Sequence, residues 1–557
     1  MNPSSYLMAA LLSILCTMPC LAQSAGAGDS DRTQSDVKLI VQSIIQNGLK
    51  LEAARDWIAA MRHYETGVRS YPNDQELRRR LLISRLHYDV LRRGSDASIQ
   101  RLSSVGKGEA IELYSEVLSR LEMSYVDVIN LAEIVRGGTA YLEIALTEPK
   151  FLKQHLPNRS KSEIERFRTS IHRLTLRDQI ANRFEARNIV LEAAASAERQ
   201  IGLKQSTTIL QFALGAIGLL DPYSSFLSRS ELEEVESQIE GNFVGLGIAL
   251  KPHSVPLEIL NVIPGGPAEQ AGIQSGDKIA EIGTVRCLDV GAERAADLLR
   301  GPENSHVRLL IEQATGSRSD LVVVRRRVEV PSVEEAKILD AVKGIAYLKI
   351  SSFQKTTVEE LDRALWDLQR RGMSSLIIDV RGNPGGWLDA SIEVADRFLS
   401  SGRIVSTRGK NGIENQNYDA TRSGTWSMPL TLLIDQESAS ASEILAGAIR
   451  DNHRGEVIGQ TTFGKGSVQG LYHTKTLSSG IRLTVSKFYS PNGRAISEQG
   501  VQPTLAVEEE DPVYFVAKPN LDSGDRKSAK KTDRVLDVAL RRAASGAMAA
   551  KPQFSRN

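Results

Sequence analysis

Three serines and one lysine sit where covalent chemistry is conceivable. Ser438, Ser440 and Ser442 alternate with alanine in the run Ser438-Ala439-Ser440-Ala441-Ser442-Glu443, just after the apolar stretch Leu430–Ile434 and at the start of an amphipathic helical pattern. Lys465 lies between two glycines in Phe463-Gly464-Lys465-Gly466-Ser467, with no other charge across 461–469. A hydroxyl is a poor nucleophile at neutral pH and needs a nearby base. Lysine can fill that role when burial lowers its pKa toward neutrality. Gln469, four residues beyond Lys465, could hold the amine through its carboxamide. The two stretches can thus make a nucleophile and its base, and residue type alone leaves open which of the serines attacks.

Histidine, the more usual base, is less well placed. His453 falls in the polar turn Asp451-Asn452-His453-Arg454, where Asp451 reads as helix-end chemistry, and His473 lies on the following strand. The chain lacks a Gly-x-Ser-x-Gly elbow here, and the lysine loop lacks the spacing of a phosphate-binding loop. No Cys/His cluster has zinc spacing. No metal or cofactor is therefore expected.

The elements around these residues alternate. A strand at Ile345–Ile350 precedes the amphipathic helix Thr357–Arg370, which carries Leu361, Leu365 and Leu368 on one face. A buried strand at 376–380 follows, then the loop Arg381-Gly382-Asn383-Pro384-Gly385-Gly386, then a helix at 388–399. That loop can only be tight, irregular backbone. The succession predicts an α/β fold with helices packed on a sheet.

Upstream, residues 241–328 resemble a PDZ domain. The matching residues are Gly245-Leu246-Gly247-Ile248 after Phe243, the strand Leu257–Val262, Pro267-Ala268-Glu269-Gln270-Ala271-Gly272-Ile273, and Ser275-Gly276-Asp277-Lys278-Ile279. A helix at 290–299 would wall the groove. In such a turn the backbone N–H groups of Gly245, Leu246, Gly247 and Ile248 point outward, able to hold a peptide carboxylate while the peptide adds as a strand. A β-module with a blocked groove is the alternative. Arg300, at the end of that helix, could dock this domain on the α/β core or simply stand exposed.

The chain has 557 residues, 41% hydrophobic and 25% charged, with a formal net charge of +1. That length suits three or so domains of roughly 100–200 residues each. The neutral balance gives no reason to expect a nucleic-acid or anionic-membrane partner. The apolar run 6–21 has signal-peptide length and small residues suited to cleavage after Ala22, although no Lys or Arg precedes it. Removal of Cys16 and Cys20 with the signal leaves Cys287 alone, so no intrachain disulfide is expected. The divisions expected are a signal peptide at 1–22, a linker at 23–35, a helical domain at 36–205, a helical lead-in at 206–240, the PDZ domain at 241–328, the α/β core at 329–510 and a tail at 511–557 with one helix. In the helical domain Val37, Ile40, Val41, Ile44 and Ile45 form an apolar stripe. Gly48, Leu51, Ala60, Tyr64, Gly67 and Pro72 resemble one tetratricopeptide unit. No clean second copy follows, so a repeat array and an irregular helical domain both remain open. Further helices are expected at 111–121, 126–145 and 161–199. This domain is a candidate for binding a protein partner or buttressing the rest.

The run Ser438 to Glu443 followed by Phe463-Gly464-Lys465-Gly466-Ser467-Val468-Gln469 resembles the catalytic motifs of the carboxy-terminal processing proteases, tail-specific serine peptidases of family S41. Ser440 and Lys465 stand 25 residues apart, and Gln469 four further on. The resemblance spans about residues 210–510 and includes Leu220-Asp221-Pro222-Tyr223, the PDZ segment, Asp379 to Gly386, and Tyr489-Ser490-Pro491-Asn492-Gly493-Arg494.

This resemblance implies a ClpP/crotonase-like α/β core and selects Ser440 as nucleophile, Lys465 as base and Gln469 as the group orienting it. It implies an oxyanion hole from Ala441 and the glycine loop, with Gly386 preferred over Gly385. It implies cleavage near the C-termini of protein substrates, whose tails the PDZ groove captures, in an extracytoplasmic location, the periplasm. A non-catalytic scaffold or ligand-binding protein on the same fold is the rival reading, since fold alone does not decide activity.

Overall fold

The computed structural model describes residues 30–93, 105–251, 254–508 and 533–545. The expected signal peptide and most of the tail at 511–557 lie outside these. The described residues fall into two compact units. The first comprises those up to Leu232 with Gly409–Gly412 and Gln469–Ser486; the second comprises Glu233–Arg408, Ile413–Val468 and those from Lys487 onward.

The first unit is helical. Its first helix, Ser30–Ala53, begins inside the segment expected to be a linker. It packs against Trp57–Ser70 through small residues: a Cβ on Gly48 would lie 2.2 Å from Tyr64 Cζ, and one on Gly67 would lie 3.0 Å from Ile44 Cγ2. Tyr64 donates its hydroxyl proton to Glu52 at 2.7 Å. Of the expected apolar stripe, Val41 is buried whereas Val37 and Ile40 are exposed.

Among the differences from the expected helices, two arise because an asparagine side chain caps a helix. The helix expected from 126 starts at Leu131, where Asn130 Oδ1 accepts the Ala132 N–H at 3.0 Å. The single helix expected at 161–199 is two, Lys161–Thr175 and Arg183–Ile201, because Asn182 Oδ1 accepts the N–H groups of Phe184 and Glu185. Helix Gln205–Gly218 crosses Leu131–Ala145 closely, and a Cβ on Gly215 would come within 2.8 Å of Gly137 O.

The core of the second unit is a six-stranded sheet in chain order: Val333–Asp340, Ile345–Ile350, Ser375–Asp379, Leu430–Ile434, Glu456–Gly459 and Leu505–Ala506. The first pair is antiparallel and the rest are parallel. The sheet's central strands Ser375–Asp379 and Leu430–Ile434 are largely apolar because both faces are covered. Alternate residues face opposite layers. Leu348, Leu376, Ile378, Leu430, Leu432 and Val457 meet the helices Thr357–Arg370, Leu388–Asp396 and Ala441–Asp451. Ile345, Tyr347, Ile377, Leu433 and Ile458 meet the C-terminal helix Arg534–Ala544 through Val535 and Ala539. A PDZ-type β-module precedes this core, with strand order Ile248–Leu250, Leu257–Val262, Lys278–Ile282, His306–Glu312 and Arg318–Val324. The helix expected at 290–299 is interrupted at Gly291, which has φ 79°, giving Cys287–Val290 and Ala292–Leu299. Cys287 is buried in this module as a free thiol.

Candidate active site

Three neighbouring parallel strands, ending at Asp379, Ile434 and Gly459, deliver three loops to one edge of the sheet. The carboxyl ends of such strands are where open α/β sheets place their sites. The three loops contain Arg381 to Gly386, Asp435 to Ser440, and Phe463 to Gly466.

The first two loops are stitched together. Asp435 Oδ1 accepts the N–H groups of Gly382 (3.0 Å), Glu437 (3.0 Å) and Ser438 (2.8 Å). Ser438 donates its hydroxyl to Val380 O at 2.8 Å. Asn383 O accepts from Ala439 N–H at 3.0 Å and from the Ser442 hydroxyl at 3.0 Å. Ser438 and Ser442 are therefore fully buried and engaged with main-chain carbonyls of the neighbouring loop. Ser440 differs. It is half-buried, stands at the N-terminus of Ala441–Asp451, and holds φ 56°, ψ −113°. That conformation is costly for a residue with a Cβ and persists only where the surroundings over-determine it, as at functional sites.

The glycines of the first loop allow close backbone approach. At Gly385 a Cβ would lie 2.7 Å from Ser440 Cβ and 2.9 Å from Ala441 N. Gly386, with φ 138°, pairs with Phe353, and a Cβ there would lie 2.0 Å from Phe353 O. The three candidate oxyanion donors separate on their partners. Gly385 N–H is engaged by Asn383 Oδ1 at 2.8 Å. The N–H groups of Gly386 and Ala441 have no partner among the described residues.

Glu443 joins the second loop to the third. Its carboxylate is fully buried and accepts four hydrogen bonds. Oε2 takes the N–H groups of Ser440 (2.7 Å) and Lys465 (2.9 Å). Oε1 takes the Gly464 N–H (2.7 Å) and the Thr462 hydroxyl (2.6 Å). One side chain thus fixes the backbones of both Ser440 and Lys465. Burial pushes the Glu443 carboxyl above its ordinary range, against the pull of these four donors. Phe463 N–H adds a bond to Ser438 O at 3.0 Å. Gln469 falls on the strand Ser467–His473 and belongs to the first unit.

The histidines are elsewhere. His453 is exposed beyond the far end of the eleven-residue helix Ala441–Asp451, which spans about 16 Å. His473 is exposed near the end of its strand. Asp451 is engaged by Arg450, Ser490 and Asn492.

In the PDZ module, Leu246 is buried in the core and its carbonyl accepts the Ala268 N–H at 2.8 Å. Gly247, at φ 76°, accepts the Ile263 N–H at 2.8 Å through its carbonyl. The N–H groups of Leu246 and Gly247 have no partner among the described residues. Gly245 ends a strand paired with Arg326–Glu329, and Ile248 begins the edge strand of the sheet. Arg300 is exposed and pairs with Glu234 at 3.6 Å.

Asn383, Asp435 and Glu443 are site residues that sequence reasoning did not single out. Only Glu443 carried a local signal, the Ser-x-x-Glu spacing of a capping box after Ser440.

Residues 344–507 match the model of peptidase family S41, and residues 258–313 match that of a PDZ domain. A carboxy-terminal-processing protease of Bartonella bacilliformis is 34% identical over 308 residues, 54% of this chain and 70% of that protein. A carboxyl-terminal-processing protease of Picosynechococcus sp. is 34% identical over 334 residues, 58% of this chain and 80% of that protein. The solved photosystem II D1 C-terminal processing protease is 23% identical, with a TM-score of 0.38, covering 72% of this chain and 93% of that one. With the sequence relatives and both family models agreeing, the chain belongs to the carboxy-terminal processing proteases of peptidase family S41 and carries a PDZ domain.

Proposed function

We propose that this protein is an exported serine endopeptidase that cuts protein substrates near their C-termini, with Ser440 as nucleophile, Lys465 as general base and Gln469 orienting Lys465. The observation that carries this reading is the Glu443 carboxylate. It ties the main chain of Ser440 to that of Lys465, while the neighbouring hydroxyls of Ser438 and Ser442 are spent on carbonyls. A buried clamp joining these two residues has a use if they act together.

In the proposed reaction Ser440 Oγ attacks the scissile carbonyl carbon and Lys465 Nζ takes the hydroxyl proton. The oxyanion is held by the N–H groups of Gly386 and Ala441, donors preorganised by the loop stitching rather than recruited during reaction. Collapse breaks the C–N bond, and Lys465 delivers the proton to the leaving amine. Water, deprotonated by Lys465, then hydrolyses the ester and frees Ser440. Substrate is presented by the PDZ module. The N–H groups of Leu246 and Gly247 receive the terminal carboxylate, and the tail adds along the edge strand Ile248–Leu250 beneath helix Ala292–Leu299. The run 6–21 supports export to the periplasm.

The test is cleavage of a denatured protein with an apolar C-terminus by wild type, Ser440→Ala and Lys465→Met. Both variants should be inactive, and amidation of the substrate C-terminus should raise KM. Full activity in Ser440→Ala would overturn the serine assignment. Full activity in Lys465→Met would overturn the lysine assignment.

A further inference from the structure

Arg381 stands at the stem of the glycine loop, and its guanidinium is held by two carboxylates. Asp379, on the strand just before it, accepts from Arg381 Nε at 3.0 Å and Nη2 at 2.6 Å. Asp533, 152 residues away, accepts from Nη1 at 2.9 Å and Nη2 at 2.7 Å. Asp379 also accepts the Arg381 N–H at 2.9 Å and the Tyr347 hydroxyl at 3.0 Å. The next residue, Gly382, is bound to Asp435, and four residues past it lies Gly386.

Asp533 caps the C-terminal helix by accepting the Leu536 N–H at 2.9 Å. That helix is seated by Val535 and Ala539 on Tyr347, Ile377 and Leu433, the last two on strands that lead into the site loops. The helix and the glycine loop therefore share two anchors, an apolar seat on the sheet and a fork of paired N–H···O bonds on one guanidinium. Such bidentate pairs fix geometry as well as energy.

We propose that Asp533 is a positioning residue for catalysis. By holding Arg381 from the C-terminal helix it sets the stem of the glycine loop, and through it the oxyanion-binding Gly386 N–H. This rests on the Ser440/Lys465 reading given above. With Asp533 replaced, Arg381 keeps Asp379 and Gly382 keeps Asp435, so the fold persists while the loop stem loses the restraint that reaches it from the C-terminal helix. A misplacement of about 1 Å at a reacting centre can cost on the order of 10²-fold in rate.

The experiment compares wild type with Asp533→Asn and Asp533→Ser. Asparagine and serine cap helices about as well as aspartate, so both variants remove the charge and spare the cap. With rates referred to the folded fraction, kcat should fall about 10-fold or more while KM and the affinity for a C-terminal peptide stay at wild-type values. An Arg381→Lys background should make the second substitution nearly silent. Unchanged kcat per folded molecule in both variants, with or without a loss of stability, overturns the proposal and leaves Asp533 a structural residue. Ser440→Ala is run alongside. If it cleaves, the serine reading itself has failed, whereas an inactive Ser440→Ala with unimpaired Asp533 variants refutes only the role of Asp533.

Discussion

Replacing Glu443 by glutamine tests the coupling between the Ser440 turn and the Lys465 loop. The carboxylate accepts from four donors, three of them main-chain N–H groups, in a fully buried setting. A glutamine with its carbonyl toward Ser440 and Lys465 preserves both of those bonds. Its amide then faces the Thr462 hydroxyl and the Gly464 N–H. Thr462 can turn its oxygen to accept, having two lone pairs and an existing bond from Val501 N–H at 2.7 Å. Gly464 N–H has no such option and is left buried beside another donor. One orphaned donor costs about 1–3 kcal/mol, a fraction of the ~5–15 kcal/mol that holds a domain together. Glu443→Gln should therefore fold. Release of Gly464 moves its neighbour Lys465, the proposed base, so kcat should drop by on the order of 10²-fold for a shift of about 1 Å. KM should stay near wild type because the proposed peptide groove is remote in the chain. Urea melts and initial rates on one denatured substrate measure both quantities. A Glu443→Gln enzyme with wild-type stability and wild-type kcat would refute the clamp.

Other outcomes follow from the same contacts. Because burial raises the Glu443 pKa, its folded-state ionisation disfavours folding. Its contribution to stability is fully present below the ordinary glutamate range and is lost as pH rises through the raised value. Only the carboxylate can accept all four donors, so kcat should rise across the window in which the wild-type melting temperature falls, and Glu443→Gln should show neither change. Ser438→Ala strands the Asp435 N–H that the Ser438 hydroxyl accepts at 3.0 Å and should lose about 1–3 kcal/mol in a denaturant melt, whereas Ser442→Ala leaves Asn383 O bound to the Ala439 N–H and should lose only about 0.5–1.5 kcal/mol; both should still cleave. Gly385→Ala, whose new Cβ would stand 2.7 Å from Ser440 Cβ at φ 104°, should lose turnover out of proportion to its change in melting temperature.

Much of the second unit was legible as pattern. Leu430–Ile434 and Ile345–Ile350 are apolar runs because helices cover both faces of the sheet, and Thr357–Arg370 shows one apolar face because only one side meets it. Where the reading failed, a local cap decided the outcome. Asn130 and Asn182 set helix starts that hydrophobic periodicity alone did not mark. The choice among three serines came from family resemblance. Its physical basis lies in partners that no window of sequence contains, since Val380 O and Asn383 O are 58 and 59 residues from the hydroxyls they receive. The pair Arg381–Asp533 left no trace in spacing or composition, because a single ion pair between distant segments imposes no period on either.

Ser440, and no other serine of its turn, should become acylated. A fluorophosphonate that mimics the tetrahedral intermediate should label the folded enzyme once, and peptide mass spectrometry should place the adduct on Ser440. Labelling should vanish in Ser440→Ala and survive in Ser438→Ala and Ser442→Ala. An adduct on Ser438 or Ser442, or a Ser440→Ala enzyme that still labels and cleaves, would contradict the account.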